Sequence, residues 1–430
     1  MTTSIMDSIH ILTPDGQRLF ATRIIRLFGY GFLSVVMALY LASMGFGERQ
    51  IGLLLTLTLL GDTIISLWIT TNADRIGRKR MLLVGAGLMI FAGVLFALTR
   101  NFYLLLIAAT IGVISPSGNE VGPFLAIEQA SLSQLVPDQL RTGVFAWYNL
   151  VGSFATAAGA FCGGLLSGKL QAAGFSDFVS YRAVIFGYSL IGILLLLMFA
   201  SFSPSINLQK DQTIDPALEK PHTLLGLHRS RGVVLRLAGL FSLDAFAGGF
   251  VIQSLVAYWF HLRFGADPIM LGSIFFGANI LAGVSALSAT WLAKRFGLIN
   301  TMVFTHLPSN ILLMLVPLMP SLPLAILVLL LRFSISQMDV PTRQSYTMAV
   351  VAPNERSAAS GVTGVARTIG ASLSPIFTGI FLANPALLGF PFFISGGLKI
   401  VYDLVLYRSF RSAKPPEEQG PNFVQKEINK

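Results

Sequence analysis

Apolar runs of about twenty residues follow one another along most of this chain. Each is long enough to cross a hydrocarbon layer of about 30 Å at about 1.5 Å per helical residue. Runs such as "LLLIAAT" and "LIGILLLLMFA" do not alternate apolar with polar positions, which excludes a transmembrane β-barrel. In lipid every backbone polar group must be satisfied within the protein, so the runs are helices. Composition agrees: 54% of the 430 residues are hydrophobic and only 12% are charged, about half the charge of a soluble chain. The expected fold class is an all-α membrane protein.

Reading apolar runs against charge and turn signals predicts twelve transmembrane helices, near 22–43, 50–71, 81–99, 103–133, 142–168, 183–203, 234–260, 269–290, 299–318, 323–350, 357–382 and 391–409. The fourth and tenth contain Pro116, Pro123 and Pro341, so kinked or broken helices are expected there. Residues 1–17 are polar and lack an apolar core followed by a small-residue cleavage site, so the first span is expected to stay. The single cysteine, Cys162, excludes an internal disulfide and a cysteine metal cluster and reads as small-residue packing.

An even number of spans puts both termini on one side of the bilayer. If that side is the cytoplasm, inner loops and tails hold about twenty Lys and Arg against about five outside. That asymmetry matches the positive-inside rule and accounts for the net charge of +10 without nucleic acid. A nucleic-acid surface would interleave basic and aromatic residues, and no stretch does. Residues 204–233 read as a cytoplasmic linker between a bundle at 1–203 and a bundle with a cytoplasmic tail at 234–430. His222 and His228 fall in that linker without a third ligand, so no metal is expected.

"NADRIGRKRMLLVG", residues 72–85, concentrates charge between the second and third spans. A degenerate copy, "AKRFG", follows the eighth span at 293–297, and "VPDQLRTG" at 136–143 is answered by "APNERSAASG" at 352–361. Gly52 and Gly272 both open a second span of their half. Such a parallel repeat of six-span halves is one way secondary transporters build a midplane site. The chain resembles the major facilitator superfamily over nearly its whole length. Asp74, Arg75, Gly77, Arg78, Lys79 and Arg80 match that family's loop pattern, although Thr70 stands where its leading glycine would be. The resemblance implies two six-helix pseudo-repeat bundles and a cytoplasmic latch at these residues; a purely topogenic basic loop is the alternative, and it has no need of Asp74. The fifth span spaces Gly152, Gly159, Gly163, Gly164 and Gly168 for close helix approach. It is similar to the glycine-rich fifth helix of the family's drug–proton antiporters, without their Gly-Pro pair.

Ionisable residues inside a bilayer cost about 2.5–3.5 kcal/mol each on insertion scales and so need partners or functions. Asp62, Glu120 and Asp339 are proton-coupling candidates, because a carboxyl group in a partly dry cavity titrates nearer neutrality. Lys399 and Asp403, four residues apart, share a helix face and are expected to pair. Glu128 with Arg343, and Arg26 with Asp244, sit in matching places of the two halves and are expected to form an inter-half gate or structural ion pairs. Arg332 and Arg367 are candidate binders of an anionic substrate, or neutralise the acids. His306, beside Pro308, reads as a helix-packing residue.

These features point to a secondary active transporter of a small molecule. Proton-driven efflux of amphipathic compounds is the leading form, and proton-coupled uptake of a polar or anionic metabolite the alternative. A membrane-embedded enzyme lacks any visible catalytic arrangement, and a receptor would need larger loops. No cofactor is expected, and a monomer in the cytoplasmic membrane is.

Overall fold

The computed structural model describes residues 13–119, 124–136, 138–203, 227, 230–352 and 355–411, apart from the side chains at 74, 133–134, 138–143, 290 and 357. Glu120, Pro123, His222, His228 and nearly all of the expected linker lie outside these residues. Among the described residues every regular element is a helix.

Nine helices or joined helices are long and apolar enough to cross a bilayer, and the bent pair Pro14–Ser34 and Met37–Ser43 makes a tenth. The fourth and tenth spans complete the twelve as broken crossings, Phe102–Ile111 with Phe124–Leu135 and Leu322–Phe333 with Asp339–Val350. Pro116 lies in the first of these breaks. Pro341 instead sits in the first turn of Asp339–Val350, where a missing N–H leaves no helical bond unmade.

Helix ends follow local chemistry. The first helix starts at Pro14, earlier than the apolar run implied, because the Thr13 hydroxyl accepts the Gly16 N–H at 3.2 Å and proline opens the turn. Asn101 caps Phe102–Ile111 by accepting from Tyr103 and Leu104. The two repeated short loops turn on glycine: Gly77 has φ 111° and Gly297 φ 84°, values that favour a residue without a Cβ.

Packing separates two compact units. The first holds Met1–Asp211, Val251–Gly283 and Pro375–Leu388; the second holds Gln212–Phe250, Val284–Ser374 and Gly389–Lys430. These units therefore do not follow the repeat boundary, since parts of the seventh, eighth and eleventh spans pack with the first six. Small residues make that possible. A Cβ on Gly159 or Gly163 would strike the carbonyls of Phe28 or Phe32, so the fifth span lies directly against the first. Gly164 meets Gly272, and Gly52 meets Gly379, in the same manner. Polar bonds add to the join: Gln253 Nε2 donates to Ser34 Oγ at 2.7 Å, Tyr258 Oη to Glu48 Oε1 at 3.1 Å, and the Ile376 N–H to Thr56 Oγ1 at 2.9 Å. In the second unit Leu237, Phe241, Met302, Val303, Tyr346, Tyr402 and Leu406 form a buried apolar cluster.

Candidate functional site

Each unit buries one charge centre. In the first unit Arg26 and Glu128 are both fully buried. The Arg26 guanidinium grips the carboxylate with two parallel bonds, Nη1 to Oε1 at 2.6 Å and Nη2 to Oε2 at 2.8 Å, the fork geometry that suits Arg to carboxylate. Thr22 donates to Oε1 at 3.1 Å, and the Tyr148 hydroxyl donates to Oε2. The Phe124 ring lies 4.8 Å beneath the guanidinium. Arg23 reaches the fifth span, donating to the Tyr148 carbonyl at 2.7 Å and to Asn149 at 3.1 Å. One carboxylate thus ties the first, fourth and fifth spans.

The second unit is built around Asp244 on the seventh span. Lys399 Nζ lies 2.5 Å from Oδ1, while Arg367 Nη1 and Arg343 Nη1 approach Oδ2 at 3.2 and 3.3 Å. Those cations come from the twelfth, eleventh and tenth spans. Arg343 also donates to Asp339, one turn earlier on its own helix, at 2.8 Å. His306 of the ninth span stands between two acids: Nδ1 is 2.9 Å from Asp403 Oδ1 and Nε2 is 4.0 Å from Asp244 Oδ1. Asn310 holds the other oxygen of Asp403 at 2.9 Å. Five spans meet at this network.

The expected pairings change accordingly. Lys399 does not bridge to Asp403; its long stem reaches Asp244 instead, and Asp403 is held by His306 and Asn310. Glu128 takes Arg26, and Arg343 takes Asp339 and Asp244, so these ion pairs of the four expected gate residues lie within their own units. The reason is geometric. The first and fourth spans of each half bring one cation and one anion together, and a desolvated charge is satisfied by whatever counter-charge its own bundle supplies.

Other candidates are placed as follows. Asp62 is buried on the second span, within electrostatic reach of Tyr188. Arg332 is half-buried, its guanidinium 4.9 Å from the Phe333 ring, and its Nε has no hydrogen-bond partner. Glu120 and the Asp74 side chain lie outside the described residues. Of the remaining loop residues, Arg78 is buried, Arg75 and Arg80 are exposed, and Lys79 Nζ donates to the Phe202 carbonyl at 2.6 Å. His306, Asn310, Thr22 and Tyr148 were not singled out by sequence as parts of a charge site. A usable signal existed for the first two: His306 and Asn310 are four residues apart on an otherwise apolar helix, the same spacing as Lys399 and Asp403.

The chain was compared with known proteins. The family model described as Major Facilitator Superfamily matches residues 19–375. An uncharacterized membrane protein of Saccharomyces cerevisiae is 31% identical over 417 residues, 91% of this chain and 93% of its own length. A Na(+), Li(+), K(+)/H(+) antiporter of Planococcus maritimus is 27% identical over 168 residues, only 39% of this chain and 37% of its own. The crystal structure of a D-xylose-proton symporter superposes with a TM-score of 0.70 over 91% of this chain and 97% of that one, at 16% identity, a likeness of fold. With a twelve-span helical architecture and a family match over most of its length, the chain belongs to the major facilitator superfamily and is a multi-pass membrane transporter, not an enzyme.

Proposed function

We propose that this transporter is proton-coupled and exports small amphipathic organic compounds by alternating access of two six-span halves, 1–203 and 234–430, across the cytoplasmic membrane with both termini inside. The observation that carries this reading is the sharing of Asp244 among Lys399, Arg343 and Arg367. One carboxylate holds cations from three other spans, so a proton reaches it only in a state where those cations have drawn away. The packing of four helices then depends on a single protonation. Desolvated charge is what makes that dependence strong. His306 touches Asp403 and faces Asp244, which gives a proton two carboxylates to move between. Arg343 also bonds Asp339, so it keeps a counter-charge when Asp244 is neutral. Asp62 and Glu120 are further proton sites in this reading.

Broken fourth and tenth spans support a midplane site, since irregular backbone is tolerated at membrane depth only where it is buried or lines a cavity. Gly164 with Gly272 and Gly52 with Gly379 act as the outer gate, and Asp74 to Arg80 as the inner latch. Export and antiport rest on the antiporter relative and on the glycine-rich fifth span. A second reading, uptake of a polar or anionic metabolite, is favoured by the spare donors of Arg332 and Arg367.

Everted membrane vesicles loaded with acridine orange test the export reading. Adding a transported amphipathic compound to energised vesicles should dequench the dye by drawing protons outward. Asp62→Asn, Glu120→Gln, Asp339→Asn and Asp244→Asn are then compared. Absence of dequenching by the unaltered chain overturns proton coupling, and dequenching unchanged in all four variants overturns the assignment of these carboxylates.

A further inference from the structure

The eleventh span, Arg356–Leu373 continued by Pro375–Leu382, has two exposed faces of opposite character. Ile369, Leu373 and Phe377 project on one side, each 43% exposed, as a lipid-facing stripe should. On the other side Ser360, Gly361, Gly364 and Thr368 are exposed, and a Cβ added at either glycine would meet nothing within 4 Å. Small and polar positions of this kind do not face lipid tails; they face water at membrane depth. Arg367 lies within this polar stripe, one helical turn from Gly364.

Arg367 is also the least committed cation of the Asp244 network. Its side chain is 33% exposed, against 7% for Arg343 and 10% for Lys399. Among the described residues its hydrogen bond is a single one, Nη1 to Asp244 at 3.2 Å. A guanidinium has five N–H donors in a planar fork, so an edge remains for a second planar anion. The charges around it are unequal. Arg332, Arg343, Arg367 and Lys399 are four basic side chains, within electrostatic reach of Asp244, Asp339 and Asp403, which are three carboxylates. Arg332 Nε is buried without a hydrogen-bond partner. A desolvated centre with one cation in excess is stabilised by an anion and repels a cationic guest.

We infer that the substrate is an amphipathic organic acid whose carboxylate docks on the unused edge of Arg367, with its apolar body beside the polar stripe of the eleventh span. This deepens the transport reading above, and it concerns head-group charge alone, whatever the direction of transport or the coupling ion. An acid entering here shares Arg367 with Asp244 and so weakens the hold of one of the three cations on that carboxylate.

Binding is measured without any proton gradient, so a failure of proton coupling does not affect the result. The full-length chain in phosphatidylcholine nanodiscs is titrated with three probes that share one ring system: 1-naphthaleneacetate, 1-naphthaleneacetamide and 1-naphthylmethylammonium. The acid should bind, and the amide and the ammonium should bind at least about tenfold more weakly, as expected for loss of a charge-assisted pair. Arg367→Gln should remove the preference for the acid, while Arg367→Lys, which keeps the charge and loses the fork, should retain part of it. Equal binding of all three probes, absence of binding by all three, or an acid preference intact in Arg367→Gln overturns the inference. Phosphatidylglycerol discs distinguish a dissolved acid from a lipid headgroup. Competition by that lipid assigns the site to headgroups and overturns the substrate claim; unchanged acid binding supports it.

Discussion

The two charge centres occupy matching places in the repeat with their signs exchanged. Arg26 and Asp244 lie on the spans that open each half, and Glu128 and Arg343 are each the fifth residue of the second helix in a broken span. The first centre is saturated: one carboxylate, one forked guanidinium, a hydroxyl from Thr22 and another from Tyr148, and no exposure of either charge. The second is contested, with three cations crowding Asp244 and one of them a third exposed. In the proposed mechanism the first stays paired and the second exchanges partners. On the reading proposed above, an ion pair linking the opening and fourth spans of a half serves as a staple in one half and as a switch in the other.

Breaking the staple should have the largest effect. Glu128→Gln leaves Arg26 buried without its counter-charge, at a cost of about 3–5 kcal/mol, seen as a lower melting temperature and a lost monodisperse peak in gel filtration. Removing both charges with Arg26→Met and Glu128→Leu should recover most of that stability, since an apolar pair of similar volume replaces a buried ion pair at little cost. If the double variant melts as low as the single one, the pair does not act as a unit.

The contested centre should tolerate the loss of one cation better. Lys399→Met leaves Arg343 and Arg367 on Asp244, so thermal melting should show a loss of about 1–3 kcal/mol, smaller than for Glu128→Gln. A larger loss would mean that Lys399 is as firmly committed as Arg26. His306→Gln keeps a hydrogen-bonding side chain but removes the ring that stands between Asp403 and Asp244. The melting temperature should stay near that of the unaltered chain while substrate-dependent proton movement slows. Proton movement at the unaltered rate excludes His306 from proton handling. Smallest of all, Gly361→Ala meets open space and should alter stability by at most about 1 kcal/mol, in the favourable direction for a helix interior. A clear destabilisation would show that the polar stripe of the eleventh span is covered.

Most of the architecture was legible in the sequence because lipid imposes it residue by residue. Apolar length gave the spans, Pro116 marked a true break, and Gly77 and Gly297 marked the repeated tight loops. The first helix begins early because Thr13 and Pro14 form a cap that hydropathy does not register. The charge partners were not legible. Sequence spacing finds Lys399 and Asp403 on one face, but which of several buried acids a four-carbon stem reaches depends on which spans touch. His306 reads from sequence as a packing residue for the same reason: a single histidine beside a proline acquires meaning only when the twelfth span brings Asp403 within 2.9 Å.

The central claim is that protonation acts through Asp244. Proteoliposomes holding either the unaltered chain or Asp244→Asn, monitored with an internal pH dye under an imposed pH gradient and then under none, test it directly. The account predicts that Asp244→Asn loses substrate-dependent proton movement under the gradient and keeps gradient-free exchange of substrate. Gradient-driven proton movement at the unaltered rate in Asp244→Asn would contradict it.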